Sequence, residues 1–167
     1  MRATVVFRLI LSALLPAALL ASTSADAGEI EDACTELVMG YALHRDQFNV
    51  EAYGDLFSED AVLFVLGSEY RGRAAIRQRL EDARGKEFTR HLMSGVWITV
   101  LDEQRASGIS YASIHAAEPD ELPLKPVPPA VGEYHDEFTL TEDGWKISRR
   151  RFVPVFLDPS VLRPAGR

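Results

Sequence analysis

Glu29-Ile-Glu-Asp-Ala-Cys-Thr-Glu-Leu-Val-Met-Gly-Tyr-Ala-Leu-His-Arg-Asp46 is the stretch on which the fold turns. Its apolar residues Ile30, Ala33, Cys34, Leu37, Val38, Tyr41 and Ala42 recur at intervals of three and four, which predicts an amphipathic helix over 29–46. Asp46 follows Ala42 by four positions and Val38 by eight, so its carboxylate falls on the apolar stripe. A carboxylate in such a place is costly without a partner. The partner offered by the rest of the chain is His91, in Thr89-Arg-His91-Leu-Met-Ser-Gly95. An imidazole oriented by a carboxylate is a common way to hold a general base near neutral pH.

Outward from that helix, Asn49 is placed to cap a second short helix running through Phe57, with Ser58-Glu-Asp60 ending it. Ala61 to Leu66 has the length and apolarity of a strand, and Gly67 to Gly72 reads as a turn. A third helix is expected over Ala74 to Ala83, with Ile76 and Leu80 inward and Arg73, Arg77, Arg79, Glu81 and Asp82 outward. Strands follow: Phe88 to Met93, a bulge at Ser94-Gly95, Val96 to Leu101, a turn at Asp102–Arg105, and Ala106 to Ala116. Glu118 to Pro129 holds five prolines and is expected to be a loop. Val131 to Leu140 and Trp145 to Phe156 form a last hairpin. Helices first and an antiparallel meander after them define an α+β class. A strongly curved sheet wrapped around the first helix would enclose a cavity.

Arg2 and Arg8, then the apolar run Leu9 to Ala21, then the small-x-small site Ala25-Asp-Ala27, have the order of a secretory signal peptide over 1–27. The run is shorter than the roughly 20 apolar residues that span a bilayer. The expected mature domain is 28–167, exported to the periplasm or beyond, with no membrane insertion after cleavage. Loss of Arg2, Arg8 and Asp26 takes the formal charge from −7 to −8, a poor balance for nucleic acid or an anionic membrane. Cys34 is the single cysteine. It excludes an internal disulfide and, among apolar helix positions, reads as a packed thiol. No His/Cys/Asp/Glu set has metal-ligand spacing, and there is neither a glycine-rich phosphate loop nor a Gly-x-Ser-x-Gly elbow. Chemistry without cofactor or metal is the consistent expectation.

Several motifs in a fixed order resemble the SnoaL-like branch of the nuclear transport factor 2-like superfamily: Tyr41-x4-Asp46, Tyr53-Gly-Asp-Leu-Phe-Ser-Glu-Asp60-Ala-Val, Tyr70-Arg-Gly72-Arg-x2-Ile76, Thr89-Arg-His91, Gly132-x-Tyr134-x-Asp136 and Asp143-Gly-Trp145-Lys-Ile147. The resemblance covers nearly all of the expected mature domain. It implies a cone-shaped barrel of three helices against a curved sheet, a pocket at the wide end, and in many members a homodimer formed through the sheet. Scytalone dehydratase, bile-acid 7α-dehydratase and hexachlorocyclohexane dehydrochlorinase share an Asp on the first helix and a His on the strand after the third. Asp46 and His91 match those positions.

The resemblance further implies roles for Tyr41 as a pocket hydroxyl and Arg150 as a catalytic or substrate-binding cation. Strand alternation alone groups Arg149 and Arg151 with Trp145 and Ile147, and Arg150 with Ser148 and Phe152; which group faces the pocket stays open. His115, His135 and Ser94 are secondary candidates for substrate contact. Ser94-Gly95 departs from the family, where many relatives carry asparagine in the second position. The leading expectation is a cofactor-independent lyase, dehydratase-like, or an isomerase acting on a small hydrophobic, steroid-like or polycyclic molecule. The alternatives are a non-catalytic periplasmic small-molecule-binding or accessory protein, and a polyketide-cyclase-like enzyme with a differently placed base.

Overall fold

The computed structural model describes residues 26–117 and 129–158. The leader, nearly all of the proline-rich connection and the tail from 159 onward lie outside the described residues. Helix α1 covers Ala27–Asp46, starting two residues before the expected 29. Asp26 caps it by accepting a hydrogen bond from the Gly28 N–H at 3.5 Å. Asn49 caps α2, Val50–Asp55, through the Ala52 N–H at 3.4 Å, but this helix ends before Phe57.

Strand β1, Phe57–Val65, begins four residues earlier than expected, because Phe57 and Ala61 bury completely against the core while Glu59 and Asp60 point outward. The expected turn at Gly67 to Gly72 is a strand instead. Leu66 and Gly67 both have positive φ, 48° and 82°, the two-residue hairpin turn that suits the twist of its flanking strands. It returns the chain as β2, Ser68–Arg71. Helix α3, Arg73–Ala83, presents Ile76 and Leu80 to the core, both fully buried.

Four long strands complete the sheet: β3 Phe88–Asp102, β4 Arg105–Ala117, β5 Ala130–Thr141 and β6 Gly144–Phe156. Their order is β2-β1-β6-β5-β4-β3. All neighbours are antiparallel except β1 and β6, which run parallel. The pairing thus departs from a pure meander at that one seam.

Of the register shifts in the sheet, two bear on the site. In β3 the register slips between Ser94 and Trp97, as the Ser94-Gly95 pair suggests. Gly95 has φ +53°, and a β-carbon there would sit 2.5 Å from the Trp97 ring, so both conformation and space require glycine. In β6 an extra residue lies between Ile147 and Arg149, and Ser148 Oγ donates to the Glu137 carbonyl at 3.0 Å. This second bulge inverts the alternation. Ile147, Arg150 and Phe152 share the inner face, while Arg149 and Arg151 lie outside.

The core lies between α1 and the concave face of the sheet. Ile30, Cys34, Val38 and Tyr41 of α1 join Leu63, Ala112, Tyr134, Phe138, Ile147 and Phe152. Each large apolar side chain buried there contributes about 1.5–3 kcal/mol. The Cys34 thiol is fully buried, and burial, followed by the charge of Asp136, pushes its pKa up to about 12. It is a packing residue. None of the described helices is long and apolar enough to cross a membrane.

Candidate active site

Asp46 and His91 meet because α1 ends over the first residues of β3. The Asp46 carboxylate is held by three donors. Thr89 Oγ1 donates to Oδ1 at 2.8 Å, the His91 backbone N–H donates to Oδ2 at 2.8 Å, and His91 Nδ1 lies 2.6 Å from Oδ1. The two side chains are nearly sequestered, 11% and 5% exposed. Burial works to raise the Asp46 pKa. The hydrogen bonds and charge of His91 and the Thr89 hydroxyl outweigh it, leaving the carboxyl below its ordinary range.

For His91 burial is the largest influence and lowers its pKa. Asp46 opposes this, while the cations Arg45 and Arg150 act with burial, and the net displacement is downward. The imidazole is therefore neutral at pH 7. With Asp46 ionised, Nδ1 carries the proton it donates, and Nε2 keeps its lone pair.

His91 opens on a cavity of about 240 Å³ that is also lined by Tyr41, Arg45, Arg79, Thr89 and Tyr134. Its apolar walls include Val65, Ile114, Ala130 and Phe152. Tyr41 is the hub of an aromatic cluster. Its ring lies 5.2 Å from Tyr53, 5.3 Å from Tyr134 and 6.0 Å edge-on from His91.

Arg150 is inward-facing but does not line the cavity. Its Nε and Nη2 donate to Asp136 Oδ1 and Oδ2 at 2.7 and 2.6 Å, and both side chains are fully buried. The guanidinium carbon sits 4.3 Å from the Tyr41 ring centroid and 4.7 Å from that of Tyr134. It supports the tyrosines from behind and reaches the cavity only through them. The expectation of a direct substrate contact by Arg150 is corrected accordingly.

His115, His135 and Ser94 are also placed away from the cavity. His115 pairs across β3 and β4 with exposed Arg90, whereas the inner pair at that level is His91 with Ile114. His135 pairs with Ile109 and Arg151, both exposed, and its Nε2 lies 2.9 Å from a Glu133 carboxylate oxygen. Ser94 is three residues from His91 and exposed, on the opposite strand face. Alternation along a strand places all three away from the cavity in which they were expected to contact substrate.

Five residues in or behind the site have no role assigned from the sequence. Arg45 lies four residues after Tyr41, on the same helical stripe, and Thr89 lies two before His91, on the same strand face. These spacings were available signals. Tyr134 and Asp136 share a face by the same rule, yet only the inward fold of β5 shows which face it is. Arg79 was expected to face solvent with the other charges of α3. It instead turns its side chain along Tyr70, 5.4 Å from the ring, into the cavity wall.

Residues 27–151 match the family model described as the SnoaL-like domain, and the chain belongs to that family. Solved structures of the same fold include a candidate aromatic ring hydroxylase from Novosphingobium aromaticivorans, 24% identical, covering 79% of this chain and 93% of that one at a TM-score of 0.70. A candidate scytalone dehydratase from the same organism is 23% identical over 77% of this chain and 87% of its own, with a TM-score of 0.67. A hexachlorocyclohexane dehydrochlorinase, LinA type 2, is 13% identical over 77% and 86%, also at 0.67. Among curated proteins there is no significant match. At these identities the likeness establishes the shared cone-shaped α+β fold; the chemistry rests on the site itself.

Proposed function

We propose that this protein is an exported, cofactor-independent lyase or isomerase in which His91 removes a proton from carbon beside an activating group. The observation that carries the reading is the 2.6 Å contact between His91 Nδ1 and Asp46 at the wall of the cavity. Asp46 fixes the tautomer that leaves Nε2 basic, and stabilises the imidazolium that forms on proton transfer, as the acid of a catalytic triad does. Tyr41 lines the same cavity and supplies a hydroxyl for the developing oxyanion or for a departing group such as water. Arg150 acts through Tyr41, as a positioning residue. A general base is worth about 10²–10⁴-fold, so orientation in the cavity must supply the rest. The volume of about 240 Å³ is at the small end for ligand sites. Within the expected hydrophobic class it favours a molecule of one or two rings over a steroid.

The test reads the proton transfer without needing the natural substrate. A panel of one- and two-ring ketones is incubated with enzyme in deuterated buffer, and exchange beside the carbonyl is followed by NMR. Exchange by the wild type that is lost in His91→Gln supports the base. Exchange no faster than in that variant refutes it and leaves the binding-protein reading.

Two further expectations belong to the same proposal. Cleavage after Ala27 would release the domain outside the cytoplasm, and mass measurement of protein from the native host decides it; an intact Met1 in a cytoplasmic fraction refutes it. A second copy of the chain would cover the outer sheet face, where Trp97 and Tyr111 meet edge-to-face at 5.1 Å while 54% and 47% exposed. Light scattering at micromolar concentration should give a dimer mass, and a monomer mass refutes this.

A further inference from the structure

Two guanidinium groups, of Arg45 and Arg79, line the cavity and a third, of Arg150, lies behind its tyrosines; they differ in what they hold. Arg150 gives Nε and Nη2 to the two oxygens of Asp136; its Nη1 is buried without a hydrogen-bond partner, but it lies behind the rings of Tyr41 and Tyr134 and off the cavity wall. Arg45 gives Nη2 to Glu87 at 2.6 Å, and its Nη1 is buried without a hydrogen-bond partner. Arg79 makes no hydrogen bond or ion pair among the described residues. Its Nη1 too is buried and unpartnered, and its one specific contact is the face of Tyr70.

A guanidinium cannot shed its charge at any ordinary pH. Burying its N–H groups unpaired is therefore a standing cost that packing does not recover. A surface role does not explain Arg79, since its side chain runs into the cavity wall. The groups facing it are Tyr41, Tyr53 and Tyr70, with the Glu87 carboxylate engaged by Arg45. Asp158 also lines the cavity and has a contact of its own. Beyond these polar groups the walls are Val65, Leu66, Ile114, Ala116, Ala130 and Phe152.

We propose that the cavity takes a small ring-bearing carboxylic acid, its carboxylate docked on the free N–H groups of Arg79 and Arg45 and its ring against the apolar walls. A planar carboxylate matches the fork of a guanidinium. A monoanion suits a wall that also carries Glu87 and Asp158 better than a phosphate dianion does. The inference names the substrate class of the site proposed above; it rests on that reading for turnover, while docking stands on the arginines alone.

The experiment uses a matched pair of probes, naphthalene-1-carboxylate and its neutral amide, titrated into the protein by calorimetry at pH 7.5. The carboxylate should bind about 10–100-fold more tightly, the worth of a hydrogen bond to a charged group. Arg79→Met should erase the difference while keeping the amide's affinity, and Arg79→Lys should retain part of it. Circular dichroism checks that each variant folds, and the lysine variant carries the test if the methionine one does not. Equal affinities in the wild type, no binding of either probe, or a preference that survives loss of the Arg79 charge each overturns the proposal. His91→Gln should keep the preference for the carboxylate. A preference kept alongside absent deuterium exchange in the wild type sinks the catalytic reading and spares this one. Exchange without a preference does the reverse.

Discussion

The concave side of the sheet holds two carboxylate–cation pairs, and they are built to opposite ends. Asp136 and Arg150 lie opposite each other on β5 and β6 and pair bidentately, both Asp136 oxygens taken by Arg150 Nε and Nη2, with no side-chain exposure at all. Asp46 and His91 come from a helix and a strand, joined at the His91 backbone N–H and at one ring nitrogen, with the other ring nitrogen left over at a cavity. The first pair spends its charge on structure and on the backs of Tyr41 and Tyr134. The second keeps a basic atom in reserve. Pairing a buried charge is thus no sign of function by itself; an uncommitted reactive atom beside accessible space is.

The largest effects should separate the pairs by what they cost. His91→Gln and Asp46→Asn should each lower turnover by about 10²–10⁴-fold once a substrate is in hand, with the fold retained. The double variant should be little worse than the worse single, because groups acting as a unit are non-additive. Additive losses in steady-state kinetics would mean that the two act separately. Arg150→Met and Asp136→Asn should show their main effect in urea unfolding instead. Removing one partner leaves a buried charge or its acceptors uncompensated, at about 3–5 kcal/mol of stability. A variant at either position with an unchanged midpoint would contradict the structural role given to that pair.

The contrast also explains what could be read in the chain and what could not. Asp46 and His91 were legible because each carries a local signal, a charge on an apolar helical stripe and a motif at a strand start. Strand boundaries in the second half came within about a residue of the alternating pattern. The β6 bulge was not legible: no glycine or proline marks Ser148, and it reverses the faces of Arg149 to Phe152. For that reason Arg150 could be singled out without its surroundings being known. Arg79 was missed for a different reason. A long side chain can leave the outer half of a helix and lay its charged end against a distant ring, which periodicity does not record. The turn expected at Gly67–Gly72 was a hairpin too short for its strand pattern to emerge.

Tyr41→Phe should have a smaller effect than either pair. It removes one hydroxyl from the cavity and keeps the ring against Tyr53, Tyr134 and the Arg150 cation. A single hydrogen bond is worth about 0.5–1.5 kcal/mol, so turnover should fall by about tenfold at most. A loss as large as that of His91→Gln would make Tyr41 the principal acid rather than an assistant, and would shift the weight of the mechanism away from the imidazole.

The smallest effect should appear in the pH dependence of stability, and it distinguishes the two partners of the active pair. His91 is held below the usual imidazole pKa, chiefly by burial. The unfolded chain binds its proton as pH falls through about 6.5, while the folded chain does so only at lower pH. Unfolding therefore takes up a proton between those two values, and stability declines as pH drops through that window. Asp46 is also depressed. Its contribution is present above the unfolded carboxylate pKa and is lost only at more acid pH, as the folded group is protonated. Urea midpoints at pH 8, 6.5 and 5.5 should thus fall toward acid in the wild type and fall less in His91→Gln. The acid limb of any turnover profile should have its midpoint below 6.5, since the same imidazole must be neutral to act as a base. An identical stability slope in His91→Gln would show that the imidazole is not held neutral by the fold. It would then be no better prepared for proton transfer than a histidine in water.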